Sequence, residues 1–230
     1  MIARAASRLV LLGAALYGAY VAFVRPWHLR WGAADAEVER ALPGDELVAD
    51  PRLSATRAIT IAAPPDGVWP WIVQIGQMRG GFYSYDWLEI LLGLGIESTD
   101  RIVPELQRLE VGDRVPLSQV SAMTVAAIEP GRSLVLRARM HPLTARAVAP
   151  GDRHAGTYVD GSWAFVLEPI GERTARLIVR FRADYRPLVL GGLFVHGLLE
   201  PAHFVMERRM LQGIRERAER TVRRAGTTPG

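Results

Sequence analysis

The sequence predicts an α+β fold: an antiparallel, curved sheet closed on one side by a long C-terminal helix, with two short helices after the first strand. An N-terminal transmembrane helix precedes it. Three observations carry this reading. Two pairs of apolar runs between Met123 and Arg182 are each joined by a turn-like tract, as in hairpins. From Pro201 to about Arg224 an amphipathic pattern continues without another proline. Near the start, Leu9 to Val24 carries no charge.

That first run is bounded by Arg4 and Arg8 on one side and by Arg25, His28 and Arg30 on the other. As a helix it is about 24 Å long, short of the ~30 Å hydrocarbon core of a bilayer. Snorkelling by Arg8 lets Ala5 to Ser7 join the span, and Trp27 and Trp31 lie where an interfacial aromatic belt belongs. A cleaved signal peptide and a buried helix compete with this reading. No convincing small-x-small cleavage site follows the run, because Tyr20 and Phe23 crowd its end, so the expectation is a single-pass anchor in the cell membrane through residues 9–24. The flanking arginines nearly balance, leaving orientation open. Residues 1–31 then form the anchor and its flanks, 32–53 a linker or loosely packed lead-in, 54–226 the folded domain and 227–230 a disordered tail.

Thr56 to Ile61 alternates enough for a strand, which Pro64 and Pro65 end. Asp66 is the expected N-cap of a helix, placing Pro70 near the end of its first turn. Val68, Trp71, Ile72 and Ile75 fall on one face of that helix. After Gly80 and Gly81 a second helix is expected, with Trp87, Ile90, Leu91 and Leu94 as its stripe. Met123–Ile128 and Ser133–Met140 flank Glu129-Pro130-Gly131-Arg132, and Ser162–Leu167 and Ala175–Arg182 flank a similar tract. Trp163, Phe165 and Leu167 share a face, as do Leu177, Val179 and Phe181. The other face of the last strand carries Arg176, Arg180 and Arg182 and is expected to meet water. Between the hairpins, 141–157 is a lid candidate on length. His203, Met206, Met210 and Ile214 line the apolar stripe of the final helix.

Composition excludes several chemistries. All 28 basic residues are arginine, and there is no lysine or cysteine. No Schiff base, phosphate-loop lysine, thiol nucleophile, thiolate metal site or disulfide is therefore available. The sequence pI is about 9.9, but the net charge is only +4 and the arginines alternate with acids. No concentrated basic stripe appears, so no nucleic-acid partner is expected.

Taken together, Ala63-Pro64-Pro65-Asp66-Gly67-Val68-Trp69-Pro70-Trp71, Gly81-Phe82-Tyr83-Ser84-Tyr85-Asp86-Trp87-Leu88-Glu89, Val111-Gly112-Asp113 and Trp163-Ala164-Phe165-Val166-Leu167-Glu168-Pro169 resemble the SRPBCC superfamily. These are the START-like and polyketide-cyclase-like helix-grip proteins. The resemblance covers about Leu53 to Arg224. It implies a sheet gripping the last helix with a hydrophobic cavity between them, and it implies no single activity.

Aromatic side chains near glycines suit an apolar pocket with few polar groups. The candidate ligand-binding residues are Trp69, Trp71, Tyr83, Tyr85, Trp87, Trp163, His203, Met206 and Met210. Each aromatic at helical spacing has plain core packing as its competing role. His203, Asp86 and Tyr85 are the candidate proton carriers. Asp86 and Glu89 also read as a solvated helical face, and His203 as a core histidine. Glu200, His203 and Glu207 have spacings that metal sites use, but the helix supplies too few ligands, with His28, His141, His154 and His196 scattered. No metal and no cofactor are expected.

Three functions fit. The first is a membrane-anchored protein binding a lipid or other hydrophobic small molecule in an internal cavity. In support, Leu188 to Leu199 is an apolar stretch able to lie against a bilayer. The second is a cyclase- or dehydratase-like enzyme, which requires polar side chains to converge inside the cavity. The third is a non-catalytic interaction protein with a collapsed pocket and a basic tail, Arg208 to Arg224.

Overall fold

β1 (Leu53–Ile61), β2 (Arg114–Pro116), β3 (Ala122–Glu129), β4 (Ser133–Met140), β5 (Tyr158–Gly171) and β6 (Thr174–Arg186) form one antiparallel sheet. Their order is β1-β6-β5-β4-β3-β2. The computed structural model describes residues 11–13, 15–85, 98–141, 144, 146–149, 156–187 and 195–227. Both expected hairpins are present, and β5 and β6 extend beyond their apolar runs because paired backbone continues past them. Bulges at Val125/Ala127 and Pro169/Gly171 interrupt the ladders, the local irregularity that bends and twists a strand.

Alternation sorts the sheet into two faces. Ile59, Ile61, Trp163, Phe165, Leu167, Leu177 and Val179 join the main core. Two of the described helices cover it. α3 (Pro65–Val73) and α4 (Glu200–Thr227) contribute Val68, Trp71, Ile72, Met210, Leu211, Ile214 and Ala218. The expected stripe of α3 is therefore its buried face. Its start differs from expectation: Pro65 opens the helix, Pro64 is the N-cap, no side-chain cap bond forms, and Pro70 lies inside. Extended backbone at Pro64, which its fixed φ favours, sets that boundary two residues early. Similarly, α4 begins at Glu200 instead of Pro201, after a π-helical turn at Val195–Leu199.

The opposite face corrects the sequence reading most. It is not left to water. α2 (Asp35–Glu39) and a 3₁₀ turn (Asp45–Val48) lie over it, with Leu42 buried against Ala58, Val166 and Ile178. Arg180 is 3% exposed. All five of its N–H groups are used: Nε donates to Thr56 Oγ1, one terminal nitrogen to Arg40 O and Asp45 Oδ2, and the other to Glu37 O and Val38 O, at 2.6–2.9 Å. Arg176 takes Glu37 and Gly32 O, and Arg182 takes Val48 O and Ala49 O. Residues between Gly32 and Ala49 thus pack over this face, because the arginines satisfy the backbone carbonyls of a short chain segment that has few partners of its own.

Helical residues from Leu11 lead through a π-helical turn (Tyr20–Val24) into α1 (Arg25–Leu29). No helix among the described residues is long and apolar enough to cross a membrane. The expected helix at Trp87–Leu94, most of the lid candidate 141–157 and residues 188–194 lie outside the described residues.

Candidate functional site: a cavity between the last helix and the sheet

The spacing of α4 brings His203, Met206, Glu207 and Met210 to one side of the helix. Opposite them are Met123, Trp163 and Phe181 from the sheet, with Phe82, Ser84 and Leu117 from connecting segments. Between these walls is a cavity of about 260 Å³. Two larger hollows lie elsewhere. One, about 490 Å³, is walled mainly by charged residues of α4 such as Arg215, Glu219 and Arg223, and the other, about 560 Å³, contains Arg114, Arg137 and Arg139. The first has mainly charged walls and the second carries three arginines, whereas the smaller hollow is lined almost wholly by apolar side chains and is the candidate site.

Of the expected ligand-binding residues, Trp163, His203, Met206 and Met210 stand at this cavity. Trp71 and Tyr83 are core residues in edge-on contact, 5.9 Å between rings, and the Tyr83 hydroxyl donates to Trp71 O at 3.1 Å. Burial pushes the Tyr83 phenol well above its ordinary range. Trp69 is half-buried against the same core. Tyr85 is half-buried and is not part of the described cavity wall. Trp87, Asp86 and Glu89 fall outside the described residues.

Beside the cavity lies a buried polar cluster in which two members, Arg57 and Glu207, were not among the expected residues. Arg57 is on β1, on the same face as Ile59 and Ile61, and only 1% exposed. Its Nε donates to His28 O at 2.8 Å, and a terminal nitrogen pairs with Glu207 and reaches His203 Nδ1 at 3.3 Å. Trp163 Nε1 donates to the other carboxylate oxygen of Glu207 at 2.7 Å. A signal for both was present. Arg57 continues the alternation of Ile59 and Ile61, and Glu207 is four residues from His203 on the apolar stripe.

His203 completes the cluster. A guanidinium only donates, so Nδ1 facing Arg57 must accept and the ring proton sits on Nε2. Burial holds the imidazole below its ordinary pKa; Glu207 opposes this and Arg57 adds to it. The ring is therefore neutral near pH 7, with its side chain 26% exposed at the cavity. Nε2 is 3.7 Å from Glu207 Oε1, too far for a hydrogen bond. No group of three or more metal-ligating side chains occurs among the described residues.

A second buried carboxylate lies one end along α4. Glu200, fully enclosed, takes Arg25 at 2.8 and 2.9 Å and stands 3.6 Å from His196. This ties the N-terminal segment to α4. Trp27 and His28 also pack on Phe204, at 5.3 Å each.

No protein-family model matches the chain, and no curated protein does. Solved structures do resemble it. A protein from Mesorhizobium loti is 16% identical, with 74% of this chain and 98% of that chain covered and a TM-score of 0.42. A norcoclaurine synthase point mutant from Thalictrum, in complex with a transition-state analogue, is 14% identical, covering 76% and 96%, with a TM-score of 0.36. The di-domain ARO/CYC BexL from the BE-7585A biosynthetic pathway is 14% identical, covering 73% and 47%, with a TM-score of 0.37. At these values neither activity nor ligand passes from them to this chain.

Proposed function

We propose that this chain is an SRPBCC-type helix-grip protein that binds a small apolar molecule in the cavity under α4. One observation carries the reading: an apolar cavity persists between α4 and the sheet, walled among the described residues by Phe82, Met123, Trp163, Phe181, Met206 and Met210. At about 260 Å³ it is smaller than the ~300–1,000 Å³ of sites for drug-sized ligands. A fused ring system or short chain suits it better than a two-chain lipid. A collapsed pocket is the poorer account.

The N-terminal run holds this binding domain at the cell membrane. In support, Leu11, Leu12, Leu16 and Phe23 are 57–78% exposed along the N-terminal helical run, and Trp27 is 54% exposed just beyond them. Apolar residues so disposed are costly in water and favourable in lipid.

The cyclase-like reading draws on the convergence of Arg57, Glu207, His203 and Trp163. However, both oxygens of Glu207 already accept a donor and Nδ1 of His203 already accepts one. The cluster offers a donor more readily than a base, which favours binding over proton abstraction.

The test is displacement of an environment-sensitive apolar dye by small ring compounds, using the full chain in detergent and a Met206→Trp variant that fills the cavity. Saturable displacement that the variant loses, with folding intact, is the expected result. Equal dye binding by both proteins would count against the cavity. Resistance of the full chain to carbonate extraction from membranes tests the anchor separately.

A further inference from the structure

We infer that the cavity's occupant carries one hydrogen-bond-accepting oxygen, of a carbonyl or an alcohol, on a hydrocarbon body, and that His203 Nε2–H recognises it. The inference rests on the proposed cavity binding and narrows its ligand class.

Among the described residues the polar groups at the cavity are few, and most are committed. Ser84 Oγ donates to Met206 O at 3.1 Å. Trp163 Nε1 and a terminal N–H of Arg57 are spent on Glu207. Glu207 in turn accepts both. His203 is different: one side of its ring is fixed by Arg57, which forces the proton onto Nε2, and Nε2 has no hydrogen-bond partner among the described residues. With the side chain 26% exposed, Nε2–H faces the cavity opening, where a ligand oxygen can take the place of water.

The chemistry of that oxygen follows from its neighbours. A ketone or aldehyde accepts and asks for nothing in return. An alcohol also accepts from Nε2, and its own proton can go to Ser84 Oγ, which donates to Met206 O but still accepts, or to a second lone pair of Glu207. A carboxylate would bring a second negative charge beside Glu207, whose counterion Arg57 is already paired with it. A bare hydrocarbon fills the space but leaves Nε2–H unanswered. The ranking is therefore carbonyl or alcohol, then hydrocarbon, with carboxylate excluded.

The experiment compares 1-indanone, 1-indanol and indane, nearly equal in shape, for binding to the full chain by calorimetry. Wild type is expected to bind indanone about tenfold more tightly than indane, the worth of one buried hydrogen bond. His203→Phe should bring the two to parity while still binding indane, and His203→Gln, which keeps a side-chain donor, should restore part of the preference. The infrared carbonyl stretch of indanone bound to wild type should fall below its value in cyclohexane, a readout independent of whether the variants fold. Parity in wild type, an unshifted stretch, or a preference that survives in His203→Phe overturns the donor assignment and leaves cavity binding standing. Failure of all three compounds to bind wild type overturns the cavity reading, and the inference with it.

Discussion

Trp163 on β5 and Glu207 on α4 are joined by an Nε1–H···Oε1 hydrogen bond of 2.7 Å. That bond, with the Arg57–Glu207 ion pair beside it, fixes the last helix to the sheet at the edge of the cavity. Both charges are about 1% exposed. Pairs so deeply buried add little net stability when intact, yet breaking them leaves a stranded charge.

Glu207→Leu should therefore destabilise the protein by about 3–5 kcal/mol, read as a lower urea midpoint by tryptophan fluorescence. Arg57→Met alone should cost a similar amount. The double variant should recover much of the loss, because no charge is left without its partner. Simple additivity of the two single effects would contradict the pairing.

Stability should fall on acidification through two histidines. Burial, reinforced by the Arg57 charge, holds His28 below its ordinary pKa, and burial does the same to His203. Their unfolded value is about 6.5. Below it the unfolded chain binds protons that the folded chain refuses, so stability present at higher pH is lost as the pH drops. His203→Gln should flatten this loss when urea midpoints are compared between about pH 7.5 and pH 5.5. An unchanged slope would mean that His203 is not shielded.

Arg180→Met should loosen the covering layer without touching the cavity. It strips donors from Glu37 O, Val38 O and Arg40 O and leaves Asp45 with Arg182. Each buried acceptor left unpaired costs about 1–3 kcal/mol. Limited proteolysis should then cut within residues 32–53, where wild type resists. Equal resistance in both proteins would show that the layer is held some other way.

Gly213→Ala should destabilise even though alanine is the better helix former by about 1 kcal/mol. A Cβ at Gly213 would run into the backbone oxygen of Tyr83 and lie 2.7 Å from its Cβ. Tyr83 has a φ of +57°, a strained conformation with little room to yield. The net loss should be about 1–3 kcal/mol, typical of overpacking, measured by thermal unfolding. A gain in Tm would mean that Tyr83 moves aside freely.

The hairpins, the buried stripe of α3 and the stripe of α4 were legible because periodicity records which face is apolar. Trp163, His203, Met206 and Met210 were legible as inward-facing residues on the same ground. The roles of Arg176, Arg180 and Arg182 were not. A row of arginines along one strand face reads as solvated, and their acceptors are backbone carbonyls and acids more than a hundred residues away. Trp71 and Tyr83 were read as possible wall residues, since spacing cannot separate a residue beside a void from one beside another side chain.

By itself the sequence determined the α+β order of elements, the apolar character of each face and the exclusion of lysine and cysteine chemistry. Those properties are local or compositional. Tertiary structure alone decided that residues between Gly32 and Ala49 cover the outer face, that Arg57 and Glu207 meet beneath α4, and that His203 presents Nε2–H at a cavity. These depend on register and on contacts between segments remote in the chain, where distance and burial, not residue type, set which charge is paired and which donor is left over.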